Sequence, residues 1–189
     1  ALPEDAGSIE STLRHAASEI FTRTRERRAS LESDRKGRDS DANWPLQDAL
    51  RSEVKRAPAS TEESFGPASA VIDATAGLTL IMAYERLTDR LNDGDRFEVE
   101  SAEDITAARS NAVSALKTAL ADSERPALAR PLLADAAGWV AAADRDLGRY
   151  SGDVQPDRLD GPLRRYVIAT ARARSVPAAT RQMLEALGL

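Results

Sequence analysis

The chain has no cysteine, one histidine, two methionines and only 4% aromatic residues. Without a thiol there is no disulfide, no thiolate zinc site, no iron–sulfur cluster and no Cys nucleophile. A single histidine, His15, cannot supply the paired Glu-x-x-His ligands of a di-iron helical bundle. It lies at the edge of an apolar stripe between Leu13 and Ala16, where a structural or surface histidine is expected. No GxSxG elbow, GxxxxGK[ST] loop or GxGxxG turn occurs. Asp93-Gly94-Asp95 lacks the later ligands and the closing Glu of a calcium loop. These absences lead us to expect a protein that is not an enzyme, with no catalytic residue, no metal and no cofactor.

Lysine is scarce too, confined to Lys36, Lys55 and Lys117, so arginine carries nearly all the positive charge. The net charge of −5 and pI near 5.1 argue, as totals, against a dedicated nucleic-acid binder. No basic start followed by an apolar run marks a signal peptide, which leaves the compartment open with a lean to the cytoplasm. The longest uncharged apolar stretch, between Asp73 and Glu85, falls short of the ~20 residues of a bilayer span, so no membrane span is expected.

What the sequence does contain is helix-forming material. Its 189 residues are enough for one domain with a real core. That core must be built from Ala, Leu, Ile and Val, and Ala is the best helix former. Pro67–Asn92 is apolar on nearly every side, with Val71, Ile72, Leu78, Leu80, Ile81, Met82, Tyr84 and Leu87, and reads as a central helix surrounded by others. Ala70, Ala74 and Gly77 give it a small-residue face, and Gly94 supplies a left-handed stop. Ile9, Leu13, Ala16, Ala17, Ile20 and Phe21 recur at helical spacing, and then Arg23, Arg25, Arg27 and Arg28 carry the helix end towards solvent.

Trp44-Pro45 opens a short helix striped by Leu46, Leu50 and Val54, between polar linkers at residues 33–43 and 57–66. Ser101-Ala-Glu-Asp104 is a capping start for a helix reaching Ala121, and Pro131 opens another ending near Gly148. The spacing then predicts a terminal hairpin, one helix from Pro162 broken at Ser175-Val176-Pro177 and another from Ala178 to Leu187. On that first helix Arg164, Arg165, Arg172 and Arg174 are placed outward. Phe97 and Val99 could be extended, but a lone strand has no partner. The expectation is a single all-α domain over residues 1–189, a bundle of about six to seven helices around the helix near residues 67–92.

For function, the leading reading is non-enzymatic protein–protein interaction, as an adaptor, an assembly subunit or a self-associating domain. The Arg-rich segments Arg23, Arg25, Arg27, Arg28, Arg164 and Arg165 are the candidate partner-binding residues, with Trp44, Phe65 and Trp139 as candidate anchors. The alternative is a nucleic-acid-associated protein that sets those arginines against phosphates. No aromatic residue is interleaved with them for base stacking. A third reading is a small-molecule sensor built on Asp73, whose carboxylate falls in the most apolar helix. There it is either a ligand- or proton-binding acid, or is satisfied near the helix start or by a neighbouring Arg. IESTLRHAASEIF, residues 9–21, resembles the first helix of TetR-type repressors over about a dozen residues. A polar Arg-rich connector follows in place of that family's turn and recognition helix, so no family is assigned.

Overall fold

Ala- and Leu-rich stripes at helical spacing can be buried only against other helices, and the computed structural model shows them so buried. It describes residues 6–33, 44–149 and 156–189. Among these are six α-helices and no strand: α1 (Ala6–Ser33), α2 (Trp44–Arg56), α3 (Pro67–Asn92), α4 (Ala102–Ala121), α5 (Pro126–Arg149) and α6 (Pro156–Ala186). A 3-10 turn at Thr61–Glu63 lies within the second polar linker. Residues 34–43 of the first linker and residues 150–155 fall outside the described residues, as does the side chain of Trp44. The chain is an all-α bundle.

α3 begins with Pro67 as its first helical residue and ends where Gly94 takes φ 99°, both as the sequence implies. Of its 26 residues 14 are buried, against α1, α2 and α6. Length and composition would let α3 cross a bilayer, and 61% of its most apolar window is buried within the bundle. Ala16 and Ala17 of α1 and Ala70 and Ala74 of α3 sit in one small-residue seam with at most 2% exposure. Arg27 of α1 pairs with Glu85 of α3, and together with that seam this makes the two helices parallel. α2 fills the crossover between them. It runs antiparallel to α3, with Gln47 donating to Thr88 at 3.2 Å and Arg51 donating to Tyr84 at 3.0 Å.

The terminal hairpin is not formed. α6 is one helix of 31 residues that runs through Pro162 and Pro177. A proline inside a helix forfeits one backbone hydrogen bond and costs about 3 kcal/mol. Packing outweighs it here, because Ala169, Ala173, Val176 and Ala179 all have zero exposure. Pro131 likewise lies inside α5, which opens five residues earlier at Pro126. α6 is also the hub. It packs against α1, α3, α4 and α5, whereas α4 and α5 sheathe α6 and not α3 as expected. Ion pairs Arg172–Asp135 and Arg165–Asp146 set α5 antiparallel to α6, and Arg109–Asp144 ties α4 to α5.

Candidate functional site: an arginine-lined groove along α6

The arginines singled out in the sequence are largely occupied within the fold. Arg23 is paired with Glu19 one turn back on α1. Arg27 grips the Glu85 carboxylate with Nε at 2.9 Å and a second bond from Nη2. Arg28 donates to the carbonyls of Ala57 at 3.2 Å and Pro58 at 2.8 Å, tying α1 to the second linker. Burial holds its guanidinium below the usual value, against the opposing charge of Glu63. So the end of α1 is not projected into solvent as expected: Thr24 and Leu31 are buried and Arg27 and Arg28 half-buried, because α3 and the linker cover that face. Arg25 remains exposed. Arg164 lies 3.7 Å from Asp160, and Arg165 is paired with Asp146 of α5. The two arginine groups have different neighbours, and no ion pair joins them among the described residues.

Arg172 is a second correction. It points inward, 7% exposed, and meets Asp135 at 3.3 Å. Burial lowers the affinity of its guanidinium for a proton, opposed by the charges of Asp135 and Glu53. Asp73 is half-buried on α3, Phe65 is fully exposed beside the start of α3, and Trp139 packs half-buried on the core. His15 is exposed. Among the described residues no group of three or more His, Asp or Glu side chains is placed to hold a metal.

Tyr166, Asp144 and Arg109 form a strap across α6, α5 and α4. Arg109 donates two bonds to the Asp144 carboxylate at 2.8 and 3.1 Å, and the Tyr166 hydroxyl donates to it at 2.5 Å. Arg109 holds the Asp144 carboxyl below its ordinary range, while burial and then Asp144 hold the Tyr166 hydroxyl well above its own. This cluster faces helix seams and reads as structural.

A site emerges where α3 and α4 flank α6. The outward edge of α6 forms the floor of a groove, with α3 as one wall and α4 as the other. Three cavities of about 230, 230 and 280 Å³ open along it, and Arg174 lines all of them. The floor from Leu163 to Pro177 is roughly 21 Å long at the α-helical rise of ~1.5 Å per residue. The middle cavity is lined by Leu87, Val167 and Ala171, with Arg86, Arg90 and Arg174 at its rim. Beyond Arg174 the next cavity is polar, with Asn111, Ser114, Thr118 and Asp122 contributed by α4. None of the three is lined by Asp73.

The charges in the groove are not equivalent. Arg90 bonds Asp95 at 2.6 Å and lies 4.9 Å over the ring of Phe97. Asp104 accepts from the backbone N–H of Ser101 and Glu100 at 2.7 and 2.9 Å, which holds its carboxyl below the usual range. Arg86 and Arg174, both exposed, have no ion pair and no hydrogen bond among the described residues. Two unoccupied guanidiniums on facing helices can together accept a carboxylate or another oxyanion. The sequence placed Arg174 outward, with Arg164, Arg165 and Arg172. Arg86 was missed, since only its i, i+4 spacing with Arg90 beside the apolar helix signalled it.

No curated protein and no solved structure matches the chain. A family model does match it, over residues 10–185, and is described as a domain of unknown function. With nearly the whole chain inside that match, the protein belongs to the DUF8264 family.

Proposed function

We propose that this chain is a non-enzymatic protein-interaction module whose α3–α4–α6 groove docks an acidic segment of a protein partner. The observation that carries the reading is the pair Arg86 and Arg174, without partners on one wall and the floor of a single groove, while Arg27, Arg28, Arg165 and Arg172 are consumed internally. An acidic protein that still holds two cations unneutralised in a concave site offers a local sink for negative charge. A peptide is favoured over a nucleic-acid backbone because Asp89, Glu98, Asp104 and Asp122 also line these cavities. Those acids tolerate one or two carboxylates but repel a continuous row of phosphates.

The test is fluorescence anisotropy of a labelled polyglutamate peptide and of a short duplex DNA, at ~50 and ~200 mM salt. Polyglutamate should bind, and Arg86→Ala and Arg174→Ala should each weaken it about tenfold, the scale of one charge-assisted contact. Duplex binding that is lost at the higher salt and is sensitive to Arg23, Arg25, Arg164 and Arg165 would put nucleic acid first. Binding of neither ligand would end the interaction reading of this groove.

A further inference from the structure

We infer that the groove recognises a composite unit on its protein partner, a bulky apolar side chain with a carboxylate close beside it. The inference rests on the docking reading above and narrows the partner's chemistry.

Arg86 and Arg174 line both the middle cavity and the polar one, so an anion between them stands at the doorway joining the two. The middle cavity is the apolar member. Leu87, Val167 and Ala171 line it, and its volume is about 230 Å³. A dry cavity of ~150 Å³ already admits benzene, so this one has room for a Phe or Leu side chain. An anion without an apolar neighbour would leave that surface wet; an apolar group alone would leave the two guanidiniums unpaired at its rim.

The charge count selects a carboxylate over a doubly charged phosphate. Asp122 stands in the polar cavity and Asp89 in the apolar one. α4 also ends at Ala121, which turns its negative dipole end towards the Asp122 side. Arg90 is already offset by Asp95. With two free guanidiniums already set against two carboxylates and a helix C-terminus, the site has no surplus positive charge, so a singly charged carboxylate held between the guanidiniums is repelled less than a doubly charged phosphate. In an extended segment, side chains two residues apart point to the same side at ~7 Å separation, which makes Phe-x-Glu the simplest ligand of this kind.

Labelled Ser/Gln-rich peptides carrying one Phe-Ser-Glu unit test this by anisotropy against the full chain, beside versions with Phe→Ala, Glu→Gln and Glu→phosphoserine. The parent should bind. Loss of either half should weaken it about tenfold, since burying one large apolar side chain and making one charge-assisted contact are each of that size. In the Arg174→Ala protein the Glu→Gln change should weaken binding by less than it does in the parent protein. Arg86→Ala, another exposed position, provides a second readout of the same coupling. A Phe→Ala peptide that binds as well as the parent, or phosphoserine that binds tighter than Glu, overturns the inference. If polyglutamate binds and the Phe-Ser-Glu peptide does not, the inference fails while the docking reading stands. If neither binds, both fail.

Discussion

Replacing Gly77 by Ala should destabilise this protein, although Ala is the better helix former by about 1 kcal/mol. Gly77 is buried in the middle of α3, where its backbone is ordinary α-helix and only space is at issue. A Cβ there would stand 3.2 Å from Nη2 of Arg28. The far end of an arginine usually swings away from such an approach. This one is held on its other side by the carbonyl oxygens of Pro58 at 2.8 Å and Ala57 at 3.2 Å. Moving off the new methyl compresses a bond already at normal length, so the guanidinium must leave or the linker must shift. A hydrogen bond from a charged donor contributes about 1.5–3 kcal/mol when its acceptor is poorly hydrated. Loss of one such bond against the propensity gain gives a net destabilisation of about 1 kcal/mol.

The assay is urea unfolding of four proteins: the parent, Gly77→Ala, Arg28→Ala and the double variant. With Arg28 gone the obstacle is gone, and Gly77→Ala should then stabilise by up to about 1 kcal/mol. The sign of the substitution should therefore reverse between backgrounds, with a coupling of about 2 kcal/mol. Equal effects in the two backgrounds would refute the clamp, and so would a Gly77→Ala protein more stable than the parent.

Four further outcomes follow from the same packing. Tyr166→Phe removes a buried hydroxyl bonded to Asp144 and should cost about 1 kcal/mol in thermal unfolding. Because the folded state holds the Tyr166 hydroxyl above its unfolded value near ~10, stability is full below that pH and falls above it; the Phe variant should lose this alkaline decline. Asp144 behaves oppositely, held low first by Arg109, so its contribution is full above ~pH 4 and drains away as pH falls, and Asp144→Asn should flatten that acid limb in pH-dependent melts. Arg172→Met should match the parent within about 0.5 kcal/mol, since the exposed Asp135 can be rehydrated, whereas Arg172→Ala should cost about 2 kcal/mol for the void. Pro177→Ala restores a helical donor within α6 and should raise the melting temperature, the gain being about 1 kcal/mol or more; a lower melting temperature would show that α6 needs the proline.

Much of the helical content was legible because apolar spacing is a local property. The bounds of α3, the capping start at Ser101 and the stripe of α2 follow from residues a few positions apart. What could not be read locally was which helix would touch the most others. α3 is the most apolar helix, but α6 touches more of the others because its alanines let helices approach on several sides. Alanine scores low as a hydrophobe and high as a spacer, so a reading by apolarity ranks α6 too low. The same bias split α6 at Pro177. A local cost of about 3 kcal/mol looks decisive until Ala173, Val176 and Ala179 are found fully buried around it.

The site was less legible than the fold, and for a related reason. A run such as Arg23 to Arg28 draws attention because its charges are adjacent in sequence, yet adjacency along a helix spreads them around the axis, where α3 and the linker capture Arg27 and Arg28. Arg86 and Arg174 are far apart in sequence and come together only because α6 does not stop at Ser175. A helix ending there would leave Arg174 as a frayed last turn, free to turn away from α3. In the continuous helix it is fixed on the groove floor about one turn before Pro177, with Arg86 on one wall and Asn111 on the other. The tolerated proline and the paired cations are thus one feature: the packing that holds α6 straight through Pro177 is what makes the groove a groove.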